Sequence, residues 1–260
     1  GLRAKAAAFE LAQLDQGTLD AALLAIADAV EAQTDEIMAA NKQDLDKSGD
    51  YNVPQTMIDR LTLTPNRIAQ MAEGVRQVAA LESPVRSVME TITRPNGLTI
   101  EKRAVPFGVI GIIFEARPNV TIDAGVLCLK TANATILRGG KEAFHTNQII
   151  VSIMRNTLES LGINGDAIQL VEVLDRDMVG VLLQQREYID VIIPRGGAGL
   201  IRRVVEESSI PVIETGSGVC HTFVDEYANL DMALDIAINA KVQRPSVCNA
   251  METLLVHQAV

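Results

Sequence analysis

A cysteine, two paired-glycine turns and a few arginines and lysines carry the chemistry this sequence could do. Cys248 lies in Lys241-Val242-Gln243-Arg244-Pro245-Ser246-Val247-Cys248-Asn249-Ala250, a polar, cationic stretch interrupted by proline. A thiol with an ordinary pKa of about 8.5 becomes a nucleophilic thiolate where cations or helix-terminal N–H groups surround it. The chemistry alone leaves Cys248 equally open to being a partly buried cysteine that follows a helix. Cys128, in Gly125-Val126-Leu127-Cys128-Leu129, reads as an inert core thiol on an apolar helix face. Cys220 precedes His221, but neighbours on a strand point to opposite faces, so it reads as structural rather than as half of a thiol–imidazole pair. With three cysteines and no CxxC, neither a disulfide framework nor a structural zinc is expected, and no metal site is assigned.

Arg138-Gly139-Gly140-Lys141 follows one apolar run and Arg195-Gly196-Gly197-Ala198-Gly199 follows another. Glycines let a backbone approach a phosphate closely, and a helix N-terminus beyond them adds partial positive charge. Each turn alone could merely reverse the chain. Two of them, each with an arginine, favour a phosphate-bearing cofactor. The Walker pattern fails, because no glycine stands five positions before Gly140 and Glu142 follows Lys141; GxGxxG fails as well.

The elements that must position these residues follow from periodicity. The first third is helical: Thr18 is expected to cap a helix with the stripe Leu19, Leu23, Ile26 and Val30, continuing through Ile37 and Met38, and Thr64-Pro65 opens another. From Ser87 the period is two, and Asn96-Gly97 between alternating runs predicts a hairpin over 87–104. From Val109 short β-rich runs at 109–114, 135–138, 168–172, 189–193 and 211–213 alternate with amphipathic helices, which implies a doubly wound parallel α/β sheet with ligands at the carboxyl ends of its strands. The expected division is a cofactor domain over 1–215, carrying the hairpin as a protruding arm, and the start of a second α/β domain over 216–260.

The 260 residues are 48% hydrophobic and 22% charged, with mean hydropathy +0.17, a composition that can bury a core and excludes disorder as the main state. The net charge of −10 disfavours a nucleic-acid or anionic-membrane surface. Apolar runs fall far short of the roughly 20 residues that span a bilayer, and the alanine-rich start has no leader-like h-region, so a cytoplasmic location is expected.

Four blocks in order, Val105–Thr121 with its Phe114-Glu115-Ala116-Arg117-Pro118-Asn119 core, Ile136–Ala143, Ile193–Gly197 and Gln243–Ala250, resemble the gamma-glutamyl phosphate reductases, a family of the aldehyde dehydrogenase superfamily. The resemblance implies an aldehyde dehydrogenase-type fold and the NADPH-dependent reduction of L-glutamyl 5-phosphate to glutamate 5-semialdehyde, a step of proline biosynthesis. It implies that Cys248 is the catalytic thiol. Arg138, with Gly139, Gly140 and Lys141, stands where the superfamily contacts the adenosine ribose, and Arg195, Gly196 and Gly197 form the phosphate-facing turn. Glu214 stands where oxidising members keep a water-activating glutamate; a reductase of an acyl phosphate needs no water, so holding the nicotinamide ribose is an alternative role. Arg117, Asn119, Lys241 and Arg244 are candidates for the substrate's negative charge. Where many members carry an oxyanion-hole asparagine, this chain has Glu115-Ala116-Arg117-Pro118, which leaves the backbone N–H of Cys248 to do that work. Members of the family are much longer, so part of the catalytic domain is expected to lie outside these residues. The competing readings are a catalytically inert nucleotide-binding or assembly fragment and an acyl reductase of the superfamily with another substrate.

NADPH is expected over NADH, because Arg138 and Lys141 follow the second strand of the sheet and could give charge-assisted hydrogen bonds to a ribose 2′-phosphate. The hairpin puts Val88, Glu90 and Ile92 on one side and Met89, Thr91 and Thr93 on the other. Neither face suits burial in the parent domain, and a two-stranded ribbon is marginal alone, so its edges need a partner, which the resemblance implies comes from another subunit of a homodimer or homotetramer; a solvated surface hairpin is the alternative. A protein carrying this chain should therefore sediment as an oligomer at micromolar concentration, and deletion of residues 87–104 should dissociate it with the fold intact; a monomer before deletion, or an unchanged oligomer after it, overturns the assignment.

Overall fold

The structure, a computed structural model, describes the chain except residues 52–54, 116, 176, 215, 217, 244 and 246 and the side chains at 55 and 56. Two compact units divide it, Gly1–Glu214 and Thr215–Val260.

The first unit begins with helices α1 (Leu2–Leu11), α2 (Gln16–Ala32), α3 (Thr34–Asp46), α4 (Gln55–Leu61) and α5 (Pro65–Ala80). Leu19, Leu23, Ile26 and Val30 recur at helical spacing on α2 and are buried together. The cap of α2 is Asp15 rather than Thr18. The Asp15 carboxylate accepts both the Thr18 N–H (2.9 Å) and the Thr18 hydroxyl (2.8 Å), which a threonine at 18 could not do for itself. Those bonds hold the Asp15 carboxyl below the usual carboxylate range. Nor does the stripe run unbroken to Ile37, because Gln33 leaves helical conformation (φ −107°, ψ 28°) and α3 starts afresh. Thr64 caps α5 as expected, accepting the Arg67 N–H at 3.2 Å, with Pro65 in the first turn.

Strands β1 (Val88–Thr93) and β2 (Thr99–Arg103) form an antiparallel hairpin whose side chains are all exposed. The Gly97 N–H bonds the Arg94 carbonyl at 2.9 Å, so the central pair of the turn is Pro95-Asn96 rather than Asn96-Gly97. Proline suits the second position of such a turn, and Gly97 follows it with φ +85°, a conformation that glycine adopts without strain.

The sheet then follows as β3 (Val109–Phe114), α6 (Pro118–Lys130), β4 (Ala134–Arg138), α7 (Phe144–Ser160), β5 (Ile168–Leu170), α8 (Asp177–Leu183), β6 (Val191–Arg195) and α9 (Ala198–Glu207). Its order is β5-β4-β3-β6, all parallel. The chain moves outward from β3 to β5 and returns across β3 to β6, the reversal that defines a doubly wound sheet. Every residue of β3 and β4 is buried, which is why both read as continuous apolar runs. The expected strand over 211–213 is reduced to one parallel rung, Val212 against Ile192.

Helices α6 and α7 pack on each other, and α2 and α5 cover them. Lys130, at the end of α6, is 3% exposed and donates to Asp20 Oδ1 and to the Ala79 carbonyl, both at 2.7 Å, tying the sheet unit to α2 and α5. Asp44 of α3 is buried as well. It accepts the His145 N–H (3.0 Å), the Thr146 N–H (2.8 Å) and the Thr146 hydroxyl (2.6 Å), and so caps α7 from about a hundred residues away.

The second unit is a β-α-β motif, β7 (Cys220–Val224), α10 (Leu230–Val242) and β8 (Met251–Val256), with β7 and β8 parallel. Asn229 caps α10 by accepting the Met232 N–H at 3.0 Å, and α10 has no buried side chain among the described residues.

Asp44→Ala should destabilise the first unit by about 2–3 kcal/mol in urea unfolding, since two buried N–H groups and a hydroxyl lose their acceptor. Asp44→Asn, which keeps one acceptor oxygen, should cost less; equal stability of Asp44→Ala and the unmodified chain would remove Asp44 as the cap of α7.

Candidate active site and cofactor crevice

A parallel sheet sends each following helix off from the same edge, so the N-termini of α6, α7 and α9 gather near the carboxyl ends of β3, β4 and β6. The reversal between β3 and β6 is the place where a doubly wound sheet forms its ligand crevice, and here it is flanked by Glu115 after β3 and by Arg195, Gly196 and Gly197 after β6. Gly197 is the N-cap of the ten-residue α9. Its N–H donates to Glu115 Oε2 at 3.0 Å. A Cβ on Gly196 would lie 2.8 Å from the Glu115 Cδ and 2.9 Å from Leu200 Cδ2, so glycine at 196 is what allows the carboxylate to reach the turn. Arg195 is exposed beside it, and its carbonyl accepts the Glu115 N–H at 3.3 Å. Gly196 thus leaves room for a carboxylate of the chain itself to accept the Gly197 N–H. Sequence reasoning missed that role of Glu115, because nothing local to 115 points to a turn 82 residues away.

At the end of β4 the glycines do different work. A Cβ on Gly139 would stand 2.2 Å from Asn147 Nδ2 and 3.1 Å from the Phe114 ring, so this position is closed by packing. Asn147 in turn accepts the buried Thr121 hydroxyl at 2.7 Å, which joins α6 to α7. Arg138 is 8% exposed; its guanidinium donates to the Gly139 carbonyl and, at 3.3 and 3.4 Å, to the carbonyls of Leu174 and Asp175 after β5. Gly140 precedes a single 3-10 turn over Lys141–Ala143. Lys141 is half-buried, with its ammonium 4.3 Å from the centre of the Tyr51 ring.

The remaining candidates divide. Arg117 is the half-buried N-cap of α6, one residue before Pro118. Asn119 turns onto its own helix and donates to Asp123 at 3.0 Å; burial pushes the Asp123 carboxyl up, and the Asn119 bond offsets part of that. Glu214 is exposed at the end of the first unit. Arg244 lies outside the described residues.

In the second unit Cys248 is exposed in the loop between α10 and β8. Its backbone is held rather than loose. The Cys220 thiol donates to the Cys248 carbonyl at 3.6 Å, and a Cβ on Gly218 would meet that same carbonyl oxygen at 2.2 Å. Cys220 therefore packs beneath the loop as a structural thiol. The Lys241 ammonium donates to the Met251 carbonyl at 2.9 Å, pinning the end of α10 to the start of β8, on either side of the loop that carries the thiol. Cys128 is the opposite case: burial pushes its thiol up to about 12, and a hydrogen bond with Thr135 only partly offsets this. No group of His, Cys, Asp and Glu able to hold a metal occurs among the described residues, and none of their helices is long and apolar enough to cross a membrane.

Residues 2–260 match the aldehyde dehydrogenase family. Over all 260 residues the chain is 53% identical to the gamma-glutamyl phosphate reductase of Proteus mirabilis and 54% identical to that of Moorella thermoacetica. The chain spans 62% of the length of each. The crystal structure of gamma-glutamyl phosphate reductase from Thermotoga maritima superposes with a TM-score of 0.89 at 40% identity, covering 98% of this chain and 62% of that one. An acetylating aldehyde dehydrogenase from Geobacillus thermoglucosidasius shares the fold, with a TM-score of 0.71 at 19% identity over 99% of this chain and 54% of its own.

Alkylation with iodoacetamide near neutral pH should label Cys248 first, and Cys128 should resist until the chain is unfolded, because only the thiolate reacts. Peptide mapping over time checks the order; early labelling of Cys128 contradicts the buried, protonated thiol described above.

Proposed function

The chain belongs to the aldehyde dehydrogenase family, and from that premise we propose that it supplies the cofactor crevice and the nucleophile of an enzyme that reduces L-glutamyl 5-phosphate to glutamate 5-semialdehyde with NADPH, in proline biosynthesis. The observation that carries the reading is the exposed thiol of Cys248 in a braced loop, in a chain whose relatives at 53 and 54% identity over its whole length are gamma-glutamyl phosphate reductases.

The crevice fits a dinucleotide. It lies at the reversal of a doubly wound sheet, its glycine turn opens a helix N-terminus, and a half-buried cation stands after the second strand of the sheet. Gly196 and Gly197 would hold the diphosphate, and Lys141 would face the adenosine ribose. A diphosphate bound at Gly197 would have to displace the Glu115 carboxylate, since like charges repel and one N–H cannot serve both. NADPH supplies a hydride when bound.

The Cys248 thiolate attacks the acyl carbon, the C–S bond forms, the C–O bond to phosphate breaks, and phosphate leaves with the electron pair. Hydride added to the thioester carbon gives a thiohemiacetal, which expels the Cys248 thiolate and releases the aldehyde. The bracing of the loop by Cys220 and Gly218, and the Lys241 bond to Met251, fix where the sulfur stands. The Cys248 backbone N–H is the oxyanion donor of this reading. In the same reading the hairpin over 87–104 is an intersubunit arm of a cytoplasmic homo-oligomer.

In a protein that carries this chain together with the further length found in its relatives, Cys248→Ser should abolish the phosphate-dependent oxidation of glutamate semialdehyde by NADP, while Cys128→Ser should alter only stability. Retained turnover in Cys248→Ser would falsify the covalent route, and absence of turnover in the unmodified protein would favour the inert or other-substrate readings.

A further inference from the structure

Three kinds of group stand at the end of β4, where a doubly wound sheet places the adenosine ribose: the Arg138 guanidinium, the N–H groups that open α7, and the Lys141 ammonium. The first two are committed within the protein. The guanidinium of Arg138 is buried against the carbonyls of Gly139, Leu174 and Asp175. The His145 and Thr146 N–H groups donate to Asp44, whose carboxylate also takes His145 Nδ1 at 2.8 Å and would repel a phosphate at that helix start. Lys141 differs. Its ammonium rests over the Tyr51 ring at 4.3 Å, a contact that directs the charge without placing an anion on it. Tyr51 comes from the segment after α3, so the helical layer rather than the sheet sets the direction of this cation.

We infer that Tyr51 is a positioning residue for cofactor choice: it holds the Lys141 ammonium where the 2′-phosphate of NADPH is read, and Arg138 serves instead to tie the loops after β4 and β5. The inference rests on the NADPH reading above and replaces Arg138 by Lys141 as the discriminating cation. A lysine tethered by an aromatic face loses less freedom on meeting phosphate than one free in solvent. The phenol hydroxyl has no part in this, so phenylalanine should replace tyrosine and an aliphatic side chain should not.

The test titrates the 260-residue chain with NADPH and with NADH, following cofactor fluorescence. Lys141→Gln should weaken NADPH at least about tenfold more than NADH, as expected for loss of a charge-assisted contact to the 2′-phosphate. Tyr51→Leu should weaken NADPH by about three- to tenfold more than NADH, and Tyr51→Phe should restore the NADPH affinity. Thermal melting of each variant shows whether it is folded, and the NADH titration reports an intact crevice in the same sample. An unchanged NADPH-to-NADH ratio in Tyr51→Leu, or failure of Tyr51→Phe to restore it, overturns the role of Tyr51. If the unmodified chain binds NADH but not NADPH, or binds neither, the cofactor reading fails and this inference fails with it.

Discussion

Parallel strands leave every following helix starting at one edge of the sheet, and the backbone N–H groups that open those helices must find acceptors. This chain answers with its own carboxylates: Asp44 on α7 and Glu115 on α9. The first is buried and comes from the helical layer, so it binds two structural layers into one unit. The second is exposed and sits on a glycine turn. The same physical requirement is met once in the interior and once at the surface.

The cations at that edge divide in the same way. Lys130 and Arg138 are buried and spend their N–H groups on Asp20 and on backbone carbonyls, as buried charge requires. Arg195 and Lys141 keep contact with solvent, Arg195 beside the glycine turn after β6 and Lys141 on an aromatic face after β4. Burial therefore separates two cations of like charge three residues apart, since Arg138 is turned onto backbone carbonyls and Lys141 is not.

The three thiols of the chain show the same sorting. Cys128, in the first unit, is protonated by burial, Cys220 is occupied with the carbonyl of Cys248, and Cys248 alone is exposed. The loop that carries it is short and fixed at both ends, by the Lys241 bond to Met251 and by the close approach of Gly218. Of the three thiols, Cys248 is thus the one that combines exposure with a backbone braced by its neighbours.

The sequence by itself determined the parallel sheet, the hairpin, the helical first third and the singular setting of Cys248. These are local properties: apolar runs of strand length, Thr64-Pro65, Gly97 in a turn and a polar stretch around a thiol each act within a few residues. Only the tertiary structure decided that residues 211–213 contribute one rung, that Arg138 turns inward, that Glu115 lies on Gly197 and that Tyr51 lies under Lys141. Several of these join residues tens of positions apart, 82 in the case of Glu115 and Gly197. Their partners are chosen by how strands and helices stack, and the spacing of residues along the chain carries no record of that choice.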